Sequence, residues 1–366
     1  MTINIGYDAR MIENSGIGIR IQHILKYWPI PSSFASLTIF GNPNTIKKYE
    51  TPSHAKVVSY TAPIYSLQEM IGHPDMKKMD LIDVPHFNVP LPYLRKSIVT
   101  IHDLIPYHFK SAHSSIIKRI YLNLIFRLIC WFAKKIITVS EFTKQDLVTS
   151  FGVKREKVTV IYNGIEDGSF KKQQKKDIDR FRKELQLPKE YLFTVGIGKA
   201  HKNFSFLLSS LAGIWSDKKL NLPLVIGGIG KEIPSELLEF QSRFPNKIFF
   251  LPHLPYAKLP FAYAGAKIFL YASLYEGFGF PILEAQASET PVLSSKATVM
   301  PEILESSAEF FDPTNVLDFQ NRLLLLLNNT TQQKKLVQKG NKNHKRFLWA
   351  SAIQNLDTFY RKMIQG

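Results

Sequence analysis

Tyr271-Ala-Ser-Leu-Tyr-Glu276-Gly277-Phe278-Gly279-Phe280-Pro281-Ile-Leu-Glu284-Ala-Gln-Ala287 decides how the chain is read. The apolar run Lys267–Tyr271 ahead of it predicts a buried strand. Two glycines then predict a tight loop, and Pro281 suits the first position of a helix, where its missing N–H costs nothing. Strand, glycine loop and helix start together make an anion site, because unpaired N–H groups and the positive end of the helix dipole face the loop. Glu276 and Glu284 flank it and can accept hydrogen bonds from hydroxyls. Phosphate beside carboxylates suits a sugar nucleotide better than bare phosphate. Such turns also occur throughout α/β proteins, where a glutamate only favours the helix dipole, so this stretch alone leaves both readings open.

Two further strand–glycine–helix units share the pattern. Ile3–Asp8 precedes Gly16-Ile-Gly18, and Tyr191–Val195 precedes Gly196-Ile-Gly198-Lys199-Ala-His201-Lys202-Asn203. Lysines in a glycine loop at a helix start suit a diphosphate leaving group. The plain alternatives are an ordinary turn and a basic solvent loop. Further strands are predicted at Leu37–Phe40, Val57–Tyr60, Asp80–Val84, Ser97–Ile101, Ile136–Ser140, Val158–Tyr162, Leu222–Gly227, Ile248–Leu251, Pro291–Ser295 and Phe310–Phe311. Strands alternating with helices in both halves predict an α/β fold of two doubly wound parallel sheets with a ligand cleft between them. The expected parts are residues 1–170, 171–345 and a C-terminal helix over 346–366 that packs back on the first domain. The Lys- and Gln-rich stretch Glu166–Lys189 holds the linker. Ligands sit beyond the carboxyl ends of such strands, which marks His86, His102 and Asp103 as site candidates.

The 366 residues carry 47 Lys and Arg against 30 Asp and Glu, a net charge of +17. That excess attracts anions: nucleic acid, an anionic membrane or phosphorylated small molecules. Zinc-ligand spacing, a helix-turn-helix pattern and a single-strand-binding aromatic motif are all missing from the sequence, which argues against nucleic acid. The lone Cys130 suits a reducing compartment. The N-terminus enters a strand at once without a basic leader, so no signal peptide is expected. The most apolar helix, Ile116–Ala133, is interrupted by Lys118, Arg119, Asn123 and Arg127 and is too broken to span a bilayer. Over Ser115–Lys135 an amphipathic core helix with a solvated basic face is expected, with the basic side suited to a membrane surface.

The spacing of several stretches resembles the retaining glycosyltransferases of family 4, which have the GT-B fold. The most specific is Glu276 to Glu284 within Tyr-Glu-Gly-Phe-Gly-Phe-Pro-Ile-Leu-Glu-Ala. Ser15-Gly-Ile-Gly18, Val99-Thr-Ile-His-Asp-Leu-Ile-Pro106, Ile137-Thr-Val-Ser-Glu-Phe-Thr143, Val160-Ile-Tyr-Asn-Gly164 and His201-Lys-Asn203 support it. The resemblance covers nearly the whole chain and is nearest the branch that builds bacterial surface polysaccharides, O-antigen among them, with mannose or similar sugars.

The resemblance implies two Rossmann-like domains facing a central cleft. The first would bind the acceptor and the second the donor. It implies a hexose donor, GDP-mannose favoured and a UDP-sugar as the alternative, with no cofactor and no metal. Glu284 would bind the ribose, Glu276 a donor-sugar hydroxyl, and the N–H groups around Gly277, Phe278 and Gly279 the sugar and phosphate. Lys202 would hold the diphosphate. Gly16, with Gly18, would lie on the loop that closes over the donor, and Gly196 would open the second domain's loop. His102 would face the anomeric carbon, with His86 and Asp103 toward the acceptor. His253 and Leu254 would flank the base. His102, Lys202 and Glu276 would be the catalytic set. Many relatives have arginine where this chain has Ile197, and Lys199 is the candidate replacement. The implied partners are the nucleotide sugar, a glycan or lipid-diphosphate-linked acceptor and an anionic membrane. The implied place is the cytoplasm, at the inner face of the plasma membrane. Two other readings compete: a nucleotide-sugar epimerase of the same fold, and a basic nucleic-acid-binding protein.

Overall fold

The computed structural model describes residues 3–109, 116–196, 198–229, 233–251 and 254–365. Ser115, Ile197, Gly230 and His253 lie outside them. The chain divides into two compact units, Met1–Gly164 with Trp349–Gly366, and Ile165–Leu348.

The first unit is built on β1 (Ile3–Asp8), β2 (Ala35–Gly41), β3 (Lys56–Ser59), β4 (Leu81–Val84), β5 (Ser97–Ile101), β6 (Lys135–Thr138) and β7 (Val158–Val160), ordered β3-β2-β1-β4-β5-β6-β7. The second is built on β8 (Leu192–Val195), β9 (Leu224–Gly227), β10 (Ile248–Phe250), β11 (Ile268–Tyr271), β12 (Val292–Ser295) and β13 (Glu309–Phe311), ordered β10-β9-β8-β11-β12-β13. Every pairing is parallel. That follows from the alternation: each strand is followed by a crossover, and a crossover returns the chain in the same direction. The inner strands are correspondingly apolar along their length, as Ile268-Phe-Leu-Tyr271 illustrates with all four residues buried, while the edge strand β3 is mostly exposed.

The boundaries differ slightly from expectation. Ile165 belongs with the second unit because its N–H donates to Phe347 O at 2.8 Å and it bridges to Leu348. The break therefore falls after Gly164 rather than 170, and after Leu348 rather than 345. The terminal helix Trp349–Gln365 lies in the first unit. Leu356, Phe359 and Tyr360 enter the same apolar core as Ile5, Tyr7 and Ile161, and Trp349 stacks on His23 with ring centroids 4.6 Å apart. Tyr360 Oη donates to the buried Asp83, and Arg20, 1% exposed, donates to Asn163 Oδ1 at 2.8 Å. Buried polar groups need such partners, and the Tyr360–Asp83 bond fixes the terminal helix at one place on the sheet.

The helix Ile116–Phe132 corrects one expectation. Its core side holds Leu122, Ile125, Phe126, Ile129 and Cys130, as the periodicity predicts. Its solvent side exposes Arg119 and Arg127 as expected, but with them a row of apolar side chains that a solvated basic face does not predict.

Candidate active site

In the second unit the chain leaves β8 toward β9 on one side and returns through β11 on the other. The loops after β8 and β11 therefore part at the carboxyl edge, where open α/β sheets bind ligands. Lys202 follows β8 and Glu276 follows β11. The fold joins them: Lys202 Nζ lies 2.6 Å from Glu276 Oε1 and donates to Tyr271 Oη at 3.2 Å. Leu274 N–H donates to His201 O at 2.7 Å, which ties the two loops backbone to backbone. Glu276 N–H donates to Thr298 Oγ1 at 3.2 Å, and Ser295 Oγ donates to Ser273 O at 2.6 Å. The Glu276 loop is thus held from both neighbouring strands.

Gly196 has φ +85°, a conformation open mainly to glycine, and a Cβ there would stand 3.3 Å from Lys202 Cε. The glycine leaves room for the lysine stem to fold back across the loop. Asn203, at φ +55°, ends the turn Ala200–Lys202 and donates to Pro313 O at 2.9 Å, and the helix Phe204–Ser216 starts after it.

Burial works against the Lys202 ammonium, but Tyr271 and Glu276 around it outweigh that and raise its pKa above the ordinary lysine value. Burial likewise tends to raise Glu276, while the Lys202 charge and hydrogen bonds from Lys202 and Ser273 bring it below the ordinary carboxyl value. The site is therefore a charged pair with little water around it, where a fixed cation acts strongly on a developing anion. Glu276, expected beside the glycine loop, is a buried carboxylate at 9% exposed.

Glu284 sits in the helix Phe280–Ala287, which starts one residue earlier than expected, with Pro281 at its second position. Gly279, at φ +93°, precedes it. Glu284 is 5% exposed, and Tyr263 Oη donates to its Oε2 at 2.7 Å. Burial pushes the Glu284 carboxyl up to about 7, and hydrogen bonds from Tyr263 and Tyr256 offset part of that rise. A raised carboxyl favours folding when protonated, so its stability contribution grows as pH falls through that value. A ribose diol, which the resemblance implies here, would donate hydrogen bonds to the ionised form, so its affinity would run the other way. Nucleoside diphosphate affinity is expected to fall up to about tenfold from pH 8 to pH 6. Titration calorimetry at both pH values checks this, with Glu284→Gln flattening that part of the profile. An unchanged profile in the variant removes Glu284 from the ribose contact.

The other expected donor residues differ in what they offer. Phe278 is buried, with its ring against Phe280 and Phe347, so it can present only its backbone to a ligand. Lys199 is exposed at the start of the Ala200–Lys202 turn, and Leu254 is half-buried. Tyr271, Tyr263, Tyr256, Thr298 and His201 were not singled out as site residues. His201 is 7% exposed, with its pKa lowered by burial despite the nearby Glu276. Tyr271 ends its strand one loop before Glu276, and that adjacency was the one available signal.

In the first unit the equivalent parting lies between β1 and β4. Asp8, at the end of β1 and fully buried, meets Arg10 Nη2 at 2.7 Å. Arg10 Nη1 lies 2.9 Å from Glu69 Oε1, and Glu69 Oε2 accepts from Tyr65 N–H at 2.6 Å and Asn88 Nδ2 at 3.2 Å. His86, expected toward the acceptor, belongs to this network. It is 1% exposed, its Nδ1 accepts from Asn88 N–H at 3.1 Å, and its Nε2 faces Asp8 Oδ2 at 3.4 Å. The ring is held between these partners at the end of β4.

His102, after β5, donates through Nε2 to Pro85 O at 2.9 Å, since a carbonyl can only accept, and Nδ1 keeps its lone pair. Burial and the Arg20 charge lower its pKa to about 3, so the ring is a neutral acceptor at physiological pH. Asp103 Oδ1 accepts from Ile105 N–H at 3.0 Å and starts the next turn. Gly16 and Gly18 lie in the first turns of the helix Ser15–Lys26 rather than in a loop. A Cβ on Gly18 would stand 2.5 Å from Ile12 O, so its lack of a side chain serves close packing.

Comparison with known proteins identifies the family. The profile of the glycosyl transferases group 1 matches residues 175–343, and that of glycosyltransferase family 4 matches residues 42–168. The O-antigen chain mannosyltransferase RfbU of Salmonella typhimurium is 28% identical over 66% of this chain and 64% of its own length. The O-antigen chain mannosyltransferase B of Escherichia coli is 25% identical over 95% of this chain and 96% of its own. The Escherichia coli serotype-specific mannosyltransferase WbdA is 22% identical, and the match spans only 37% of it. Among solved structures, Anabaena HepE in complex with UDP and glucose superposes with TM-score 0.76 at 18% identity, covering 98% of this chain and 100% of that one. WaaG, a glycosyltransferase involved in lipopolysaccharide biosynthesis, gives 0.72 at 11% identity over 97% and 99%. Two parallel-sheet units, a matching profile on each and full-length structural likeness together show that the chain belongs to the GT-B glycosyltransferases.

Proposed function

We propose that the chain is a retaining hexosyltransferase that moves mannose from a nucleoside diphosphate donor, GDP-mannose first, to a growing lipid-linked surface glycan. The observation that carries the reading is the buried Lys202–Glu276 pair at the carboxyl edge of β8 and β11, with Glu284 on the helix that follows. A cation for the diphosphate, a carboxylate for a sugar hydroxyl and a carboxylate for the ribose meet three of the four parts of a sugar nucleotide, the base being the fourth. The mannosyltransferase names of RfbU, mannosyltransferase B and WbdA favour mannose.

In this reading the bond from the anomeric carbon to the diphosphate oxygen breaks while the acceptor hydroxyl attacks from the same face. Its proton passes to the departing phosphate oxygen, so no protein base is needed. Lys202 stabilises the charge that develops on the diphosphate, with the N-terminus of the helix Phe280–Ala287 beside it. The neutral His102 imidazole accepts a hydroxyl hydrogen bond and orients, without exchanging a proton. The basic charge holds the chain near the anionic membrane that bears the acceptor.

The test is to incubate the enzyme with GDP-mannose and a bacterial lipid extract and analyse the product. Retention predicts an α-linked mannose, seen in its one-bond C1–H1 coupling. A β-linked product overturns retention, and consumption of UDP-sugars alone overturns the donor.

A further inference from the structure

A helix on a protein surface ordinarily turns its polar side to water. The helix Ile116–Phe132 does not. At about 100° per residue, positions 116, 120, 124, 127 and 131 fall on one face, opposite the one that enters the core. Ile116 is 69% exposed, Ile120 65%, Leu124 51% and Trp131 58%, and Ile117 beside them is 75% exposed. Arg127 is the one charge in that row. Exposed apolar rows of this kind mark an interaction surface.

The charges around the row identify what it meets. The helix contains Lys118, Arg119 and Arg127 and no acidic residue. At its Trp131 end Lys134 and Lys135 follow, Lys157 Nζ donates to Trp131 O at 2.8 Å, and the Arg95 guanidinium lies over the Phe132 ring. Tyr121 of the same helix meets the Tyr65 ring edge-on, and just beyond Tyr65 the helix Leu67–Ile71 exposes Leu67 and Ile71 at 75% and 64%. A second copy docked on this face about a twofold axis would bring like cations together. An anionic bilayer answers both halves of the pattern: headgroups take the cations and the acyl boundary takes the aliphatic row. No helix among the described residues is long and apolar enough to cross a membrane, so the contact is one of lying on the surface.

We infer that the helix Ile116–Phe132 is the membrane-seating element of this chain, its row Ile116, Ile117, Ile120, Leu124 and Trp131 entering an anionic lipid surface. The inference deepens the membrane part of the proposed function and gives it a defined surface.

The experiment is co-sedimentation of the full chain with vesicles of phosphatidylcholine alone and of equal parts phosphatidylcholine and phosphatidylglycerol. Wild type is expected to bind the anionic vesicles, with binding weakened by salt and not abolished. Trp131 emission is expected to shift to the blue on binding, a change absent in Trp131→Phe. Ile117→Ser with Ile120→Ser is expected to lower partitioning roughly tenfold or more, with thermal melting unchanged because both side chains are exposed. Arg119→Gln with Arg127→Gln is expected to weaken binding to the anionic vesicles and reduce its salt dependence, with the apolar part of the binding kept. Equal binding to both vesicle types, or unchanged binding by the isoleucine pair, overturns the inference. So does a wild-type dimer by light scattering that the same pair dissolves without any vesicle binding. Neither donor nor acceptor is present, so failure here leaves the transfer reading standing, and a failed nucleotide titration leaves this surface standing.

Discussion

Lys202→Ala is expected to lower kcat/KM for sugar transfer by about 10²–10³-fold, the usual loss when one preorganised group facing a developing anion is removed. The geometry makes the lysine hard to replace. Its ammonium is placed by Tyr271 and Glu276, and its stem passes Gly196 in space that a side chain there would reduce. Removing it also leaves Glu276 buried without its cation, and that carboxyl rises toward its ordinary value or above. Lys202→Arg is expected to recover only part of the activity, because a planar guanidinium does not fit where an ammonium folds back against a glycine. Initial rates of donor consumption by the three proteins check both statements. Turnover of Lys202→Ala within about threefold of wild type would remove Lys202 from the transition state.

Arg10→Met is expected to destabilise the first unit by about 3–5 kcal/mol, the range for removing one partner of a buried ion pair. Arg10 answers two carboxylates that water does not reach, Asp8 and Glu69. Burial tends to raise the Asp8 carboxyl, and Arg10 with His86 more than reverses that, to well below 3.8. A depressed carboxyl contributes stability above its unfolded-state pKa and loses it as pH falls toward the folded one. The wild-type unit is therefore expected to lose stability below about pH 4, and the variant to lack that part of the profile. Melting followed by circular dichroism should show Arg10→Met lower by roughly 10 °C. Adding Asp8→Asn and Glu69→Gln should restore part of it. A melting point unchanged by Arg10→Met would mean that the network is not what orders Tyr60–Ile71.

The fold was legible because parallel strands buried on both faces are apolar along their length and end at glycine, proline or a charged loop. Ile268–Tyr271 and Ser97–Ile101 read in this way without ambiguity. Lys202, Glu276 and Glu284 were legible because local loop chemistry placed each at a strand end or helix start. The tyrosines were not. Tyr263 reaches Glu284 across 21 positions and Tyr271 reaches Lys202 across 69, and no spacing rule reports a contact made by strand order. The surroundings of His86 were hidden for the same reason: its place after a strand is visible, but its enclosure by Asp8 and Asn88 depends on β1 lying beside β4. The helix Ile116–Phe132 misled differently. Periodicity identified one apolar face, and the lysines and arginines were read as a solvated basic face, which hid the apolar residues that share it.

Titration calorimetry of the purified chain with GDP, UDP, GDP-mannose and UDP-glucose tests the central claim most directly, alongside Lys202→Ala and Glu284→Gln. The account predicts that one nucleoside diphosphate and its sugar bind wild type, and that each variant weakens that binding by roughly tenfold or more, about 1.4 kcal/mol. Binding that both variants leave unchanged would place the nucleotide elsewhere and contradict the account.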